Sequence, residues 1–192
     1  MSEVVRRALF HLFIVSLISV AALFAPKVVF LIVLRIIGSA FLIFELLRLR
    51  FPHAKRWFYR LFGRFLREEE AHRLTGASYT LMASLIIFHV FPEDVAIVVF
   101  IFLAIGDPVA TLVGNYLGRI SIFDKTLEGH LACFGTCILA GFIFSQLITP
   151  IPVIVVLAGS IGATVGEAVP HKINDNLTIP LLAAAAMMLA QT

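Results

Sequence analysis

Seven apolar runs divide this chain, and nothing else in the sequence constrains its fold as strongly. They cover about residues 8–25, 28–47, 75–91, 95–117, 129–148, 151–168 and 177–190, the second interrupted by Arg35. A helix needs roughly 20 apolar residues to cross a bilayer, and it satisfies its own backbone hydrogen bonds on the way. Composition closes off the soluble alternative. Apolar residues make up 60% and Asp, Glu, Lys and Arg only 14%, against about 25% charged in ordinary soluble domains. A soluble globule of 192 residues has too high a surface-to-volume ratio to hide that much apolar surface. The expected fold is all-α: a polytopic integral membrane protein with about seven transmembrane helices and one interfacial amphipathic helix. It forms a single membrane-embedded domain over 1–192. No stretch is left for a soluble catalytic domain, so any chemistry is built from helix ends and loops.

Basic residues orient the spans. Arg48, Arg50, Lys55, Arg56, Arg60, Arg64, Arg67 and Arg73 crowd the connection after the second run, Arg119 and Lys125 follow the fourth, and Lys172 follows the sixth. Lysine and arginine accumulate on the cytoplasmic side. The expectation is therefore a cytoplasmic N-terminus and active face and an outside C-terminus, with Lys27 as the one exception. The first run, preceded by Arg6 and Arg7, is too long for a signal-peptide core and lacks a small-x-small cleavage site, so it is expected to stay as a span. Within 51–67, Phe51, Ala54, Trp57, Phe58, Leu61, Phe62, Phe65 and Leu66 recur at helical spacing opposite Lys55, Arg56, Arg60, Arg64 and Arg67. That pattern predicts an amphipathic helix in the inner interface. The net charge of +3 suits such basic loops and gives no reason to expect a nucleic acid partner.

The ionisable minority marks the candidate chemistry, because such groups are costly in or beside a span. Once the topology is drawn, His11, Glu45, Asp107, Lys125, Glu128, Glu167 and Asp175 fall toward one side, with Glu93 and Asp94 on the other. Pro108 after Asp107 predicts a kinked or broken span; if it breaks, Asp107 caps a new half-helix. Asp107, Thr111 and Asn115 then form a polar stripe beside a small-residue ladder of Gly106, Ala110, Gly114 and Gly118. A hard divalent cation is a natural partner for an intramembrane carboxylate. In Lys125-Thr126-Leu127-Glu128-Gly129, Lys125 is a point charge for phosphate, Thr126 a cap, and the helix start an anion site. An ordinary positive-inside loop with a capped helix explains that stretch equally well. Glu167 with Asp175 and Asn176 offers metal ligands or a proton acceptor, or plain turn chemistry. His53, His72 and His130 read as loop or cap residues, His89 as an interface residue near the outer face, and His171 as part of a basic turn. No zinc-like spacing and no Walker loop occurs. Cys133 and Cys137 share one helix face and read as packing residues, as do the small residues of 158–166.

These motifs resemble a known family. Gly106-Asp107-Pro108-Val109-Ala110, Gly114, Gly118 and Lys125-Thr126-Leu127-Glu128-Gly129 resemble the paired signatures of the dolichol kinase, phytol kinase and yeast-type diacylglycerol kinase superfamily. Glu167 with Asp175-Asn176-Leu177-Thr178-Ile179-Pro180 is similar to its closing segment. Arg6-Arg7 with His11, Glu45-Leu46-Leu47-Arg48-Leu49, and Glu70 with Leu74-Thr75-Gly76 resemble its earlier ones. The resemblance implies an integral membrane enzyme that phosphorylates a lipid alcohol with CTP. The acceptor it suggests is polyprenol, dolichol, phytol or a geranylgeraniol-like isoprenoid.

On that resemblance, Mg²⁺ is held by Asp107 and Asp175, and the nucleotide by Gly106, Thr111, Gly114, Asn115, Gly118, Lys125, Thr126, Gly129 and Asn176. Asp107, Lys125, Glu128 and Glu167 are the expected catalytic set, with Glu167 or Glu128 orienting or deprotonating the hydroxyl. His11, Glu45 and Glu70 are the expected substrate-binding residues, and the partners are CTP, a lipid alcohol and membrane lipids, with self-association left open. Part of the pattern also resembles CDP-lipid synthases, the alternative cytidylyltransferase reading, but their Lys-Asp and Gly-Gly-x-x-Asp-Arg ending is absent. A transport protein is the third reading. It predicts polar groups spread along a midplane path rather than gathered at one side.

Overall fold

A computed structural model of the chain describes residues 2–63, 70, 72–170 and 173–191, with the side chain of Leu61 excepted. Arg64, Phe65, Leu66, Arg67, His171 and Lys172, which carry part of the sequence expectations, lie outside the described residues.

The apolar runs become helices close to where the sequence puts them. These are α1 (Glu3–Phe24), α2 (Lys27–Arg50), α4 (Gly76–Val90), α5 (Glu93–Leu117), α6 (Leu127–Leu147), α7 (Val153–Ala168) and α8 (Asp175–Leu189); the amphipathic segment forms α3 (Pro52–Phe62). Among the described residues, α1, α2, α5 and α6 are the helices long and apolar enough to cross a membrane. With 15, 16 and 15 residues, α4, α7 and α8 are shorter apolar helices. At 1.5 Å rise per residue they reach about 22–24 Å, short of a ~30 Å hydrocarbon core. The apolar-helix pattern is therefore as expected, and the span count by length is four. The structure also adds what an all-α reading omits, a two-strand hairpin of β1 (Ser121–Ile122) and β2 (Lys125–Thr126) in antiparallel register Ser121↔Thr126 and Ile122↔Lys125. Phe123, at its tip, has φ 55°, a left-handed conformation that costs a non-glycine residue roughly 1–3 kcal/mol.

Helix α5 is the central element. Two-thirds of its most apolar window is buried, against about a fifth for α1 and α2, and α1, α4, α6, α7 and α8 all pack on it. Its buried run Val95–Ala104, apart from half-buried Ile101, is the middle of the core. Phe30 of α2, Phe88 of α4 and Phe100 of α5 extend that core as a chain of ring contacts at 4.7 and 5.4 Å. In contrast, α2 keeps Val29, Ile32, Val33, Ile36 and Ile37 exposed, as a lipid-facing helix does. The helix is continuous through Pro108 rather than broken, so Asp107 does not act as an internal cap.

Small residues set the closest approaches. A Cβ on Gly162 would lie 2.4 Å from the Leu182 carbonyl oxygen, and one on Gly166 would lie 2.6 Å from that of Thr178, so α7 and α8 meet backbone to backbone. The same device joins the end of α5 to the start of α6: a Cβ on Gly129 would meet the Ala110 carbonyl at 2.9 Å, and one on Gly114 the Thr126 hydroxyl at 3.0 Å. Cys133 and Cys137 are free, buried, and packed where Gly106 leaves room, in line with a packing role.

Candidate active site

The alternating helix directions bring one set of termini together. The hairpin and the start of α6, the end of α7 and the starts of α4 and α8 converge, with the ends of α2 and α5 alongside. Lys125, on the return strand of the hairpin, is the hub. Its ammonium donates to the Glu167 carbonyl oxygen at 2.7 Å and pairs with Glu167 Oε1 at 2.9 Å and Asp175 Oδ2 at 3.2 Å. Those contacts match the three hydrogens an ammonium carries. Both carboxylates are nearly buried, at 4% and 10% side-chain exposure. Burial by itself pushes the Lys125 pKa down. The Asp175 and Glu167 charges, the hydrogen bond to Glu167 and the more distant Asp107 outweigh it, so the group is held above the usual lysine value.

Glu167 joins a second group. Its Oε2 is hydrogen-bonded to Nδ1 of His130, on the first turn of α6. His130 is 7% exposed, and its other ring nitrogen, Nε2, is buried with no hydrogen-bond partner among the described residues. Its position in the sequence predicts a loop or cap residue. It sits instead one turn below Cys133 on the buried face of α6. Its i,i+3 and i,i+7 spacing to the two cysteines was the available signal.

Asp107, half-buried on α5, lies 3.7 Å from Nε2 of His11 on α1, and the same nitrogen is 3.3 Å from the Leu103 carbonyl. With Asp107, Glu167 and Asp175 against Lys125, and histidines neutral, the cluster carries a formal excess of two negative charges. Among the described residues, no three His, Cys, Asp or Glu side chains stand close enough to form a metal cage.

Thr126 caps α6, accepting from the Gly129 amide at 3.2 Å, while the Leu127 amide donates to the Ile120 carbonyl at 2.9 Å. Two amides of that helix start are thus already engaged. Glu128 turns back to the hairpin, where both its oxygens lie 3.3 Å from the Ile120 amide. Asn115 is exposed and donates to the Thr111 carbonyl of its own helix at 2.7 Å. Gly114, Gly118 and Gly129 stand in the close approach of α5 and α6, and Gly106 beside the cysteines.

Glu45 and Glu70 stand in a separate clamp. Glu45 and Arg48 are fully buried, with Arg48 Nε and Nη2 donating to Glu45 at 2.9 and 3.2 Å. Arg48 also donates to the carbonyls of Glu70 (3.0 Å) and Arg73 (2.8 Å), and its guanidinium sits 4.7 Å over the ring of Phe58 on α3. Glu45 Oε2 accepts from the Thr75 amide (2.9 Å) and the Ser78 hydroxyl (2.8 Å). Glu70 Oε1 accepts from the Gly76 amide at 2.7 Å, and the Gly76 carbonyl receives Nδ2 of Asn176 at 3.2 Å. A Cβ at position 76 would lie 2.7 Å from that Nδ2, so this contact requires glycine. The clamp therefore fixes the start of α4 and, through Gly76, the side chain of Asn176. Asn176 Oδ1 is buried with no partner among the described residues.

An open hollow of about 350 Å³ lies at the opposite end, lined by Leu23, Glu93, Asp94, Ile97, Phe144, Ile148 and Thr149. It touches none of the site residues anticipated from sequence.

The chain is similar to three CTP-dependent diacylglycerol kinases of fungi. It is 25% identical over 160 residues to that of Schizosaccharomyces pombe, covering 76% of this chain and 73% of the relative. It is 23% identical over 169 residues to that of Saccharomyces cerevisiae, of which the match spans 58%. It is also 26% identical over 182 residues to an uncharacterized protein of Rickettsia prowazekii, covering 92% of this chain and 89% of the relative. No family model matches the chain. No solved structure matches it either.

Proposed function

We propose that this protein is a membrane-embedded kinase that transfers the γ-phosphate of CTP to the hydroxyl of a lipid alcohol. The observation that carries the reading is the convergence of Lys125, Glu167 and Asp175 from three separate elements onto one buried, charged cluster. Its location at helix ends suits a reaction between a water-borne nucleotide and a lipid headgroup. The likeness to CTP-dependent diacylglycerol kinases supports both the donor and the lipid class. Diacylglycerol therefore joins the isoprenoid alcohols as a candidate acceptor. The basic residues around 48–73 support a cytoplasmic active face.

Phosphoryl transfer is mostly positioning and charge neutralisation. Lys125 is the phosphate grip. When the triphosphate enters, the ammonium exchanges its Asp175 contact for a phosphate oxygen, keeps its contact to Glu167 and stays charged throughout. Asp107 and Asp175 are the residues that would hold Mg²⁺, which neutralises charge on the triphosphate. The cluster's excess negative charge fits a divalent cation, and Mg²⁺ commonly takes only one or two carboxylates together with substrate phosphates, so a three-ligand cage is not required. Asn176, held by Gly76, offers its free carbonyl oxygen to a donor on the nucleotide. Gly106, Gly114, Gly118 and Gly129 keep α5 and α6 close enough for the loop between them to serve as a rigid mount.

The test is purified protein with γ-labelled CTP, Mg²⁺ and a panel of diacylglycerol, polyprenol, dolichol, phytol and geranylgeraniol. The expected products are a labelled lipid monophosphate and CDP. Formation of a CDP-lipid and pyrophosphate would mean a cytidylyltransferase, and no label on any acceptor would sink the kinase reading. Asp107→Ala with full activity would remove Asp107 from the metal site.

A further inference from the structure

We infer that His130 is the group that takes the proton from the lipid hydroxyl, with Glu167 as the residue that positions it; this rests on the kinase reading above. Three observations lead there. Glu167 Oε2 holds Nδ1 of His130, which in the neutral ring makes Nδ1–H the donor and leaves Nε2 as a bare acceptor. Nε2 is buried and has no partner among the described residues, a condition native structures answer with a ligand, a bound water or a chemical role. Finally, the other oxygen of the same carboxylate holds the Lys125 ammonium at 2.9 Å. A single carboxylate thus links the phosphate grip to the ring that carries the free acceptor.

The chemistry of the ligand follows from that vacant valence. A triphosphate brings acceptors and no hydrogens, so it cannot satisfy Nε2; a hydroxyl can. Glu167 is less suited to be the base itself, because Lys125 and His130 already engage both of its oxygens. In the step, the lipid O–H proton passes to His130 Nε2 as the lipid oxygen bonds to the γ-phosphorus. The bond from that phosphorus to the β,γ-bridging oxygen breaks and CDP leaves with the electron pair. The imidazolium then returns its proton to water, and its charge is stabilised meanwhile by Glu167, as in other carboxylate–imidazole pairs.

The groups facing His130 are Glu167 from α7 and, beyond it, Lys125 from β2 and Asp175 from α8. Asp107 faces the same space from α5, paired with His11 of α1. His11 is a second histidine facing this site, so a pH profile has to be assigned by variants. The informative substitution is His130→Asn, whose amide can still donate to Glu167 but offers nothing at the Nε2 position. We expect kcat to fall by about 10²-fold or more, KM for CTP to stay within about twofold, and the acidic limb of the wild-type kcat–pH profile to vanish. An active wild type whose His130→Asn variant retains kcat and the acidic limb would overturn the inference and leave the kinase reading intact. A wild type inactive on every acceptor would overturn both. If His130→Asn does not fold, His130→Ala decides: its kcat is expected to fall by about 10²-fold and to be partly restored by added imidazole, and a His130→Ala variant that retains kcat overturns the proposal.

Discussion

Arg48→Met tests the buried clamp, and its size can be worked from the contacts. The guanidinium is fully buried and gives two hydrogen bonds to Glu45 and one each to the carbonyls of Glu70 and Arg73. Methionine preserves the stem packing and much of the volume against Phe58. What it removes is the cationic partner that Glu45, a carboxylate with 0% exposure, has among the described residues. Breaking a buried ion pair from one side costs about 3–5 kcal/mol, because the remaining charge is uncompensated. At roughly 2–4 °C per kcal/mol for a chain of this size, the melting temperature should fall by about 6–20 °C. The assay is thermal unfolding of purified protein in one detergent, followed by intrinsic fluorescence of Trp57. The double variant Glu45→Gln/Arg48→Met removes the orphan charge but retains an acceptor for the Thr75 amide and the Ser78 hydroxyl. It should be more stable than Arg48→Met alone. A single-variant shift below about 2 °C, or a double variant no better than the single, would refute the buried-pair argument.

Glycines test the helix contacts. Gly162→Ala puts a Cβ 2.4 Å from a backbone carbonyl and should destabilise by about 1–3 kcal/mol, whereas Gly135, with nothing within 4 Å, should tolerate alanine or gain up to about 1 kcal/mol; equal effects in thermal unfolding would contradict the packing described. Lys125→Met should abolish phosphoryl transfer and lower stability. Its folded pKa is raised, so the pairing contributes fully below the unfolded value of roughly 10.4 and is lost only as pH rises through the folded one. The stability gap to wild type should therefore stay constant from about pH 6 to 9; narrowing by pH 8 would show the group losing its charge early.

Periodicity and apolar run length are local properties, so the helices were legible. The seven apolar runs, the amphipathic 52–62 segment, the Thr126 cap and the small-residue packing of 159–166 all follow from neighbours in sequence. The hairpin was not, because two-residue strands have no period to detect and Phe123 is an unlikely residue for positive φ. Local rules left α5 either kinked or broken at Pro108; packing on five other helices decides for a continuous helix.

Composition and charge placement by themselves determined that this chain is built of apolar helices and that its few ionisable groups cluster toward one side. They also singled out Asp107, Lys125, Glu167 and Asp175. Only the tertiary structure decided which of these meet. Lys125 reaches Glu167 and Asp175 across 42 and 50 residues, and His130 reaches Glu167 across 37. Tertiary packing alone likewise turned Glu45 and Glu70 into a clamp around the start of α4, and gave His130 its buried, unanswered nitrogen. A single residue's type announces what chemistry it can do. Whether it does so depends on partners from distant helices, and those are chosen by the backbone approaches that glycines such as Gly129 and Gly166 permit.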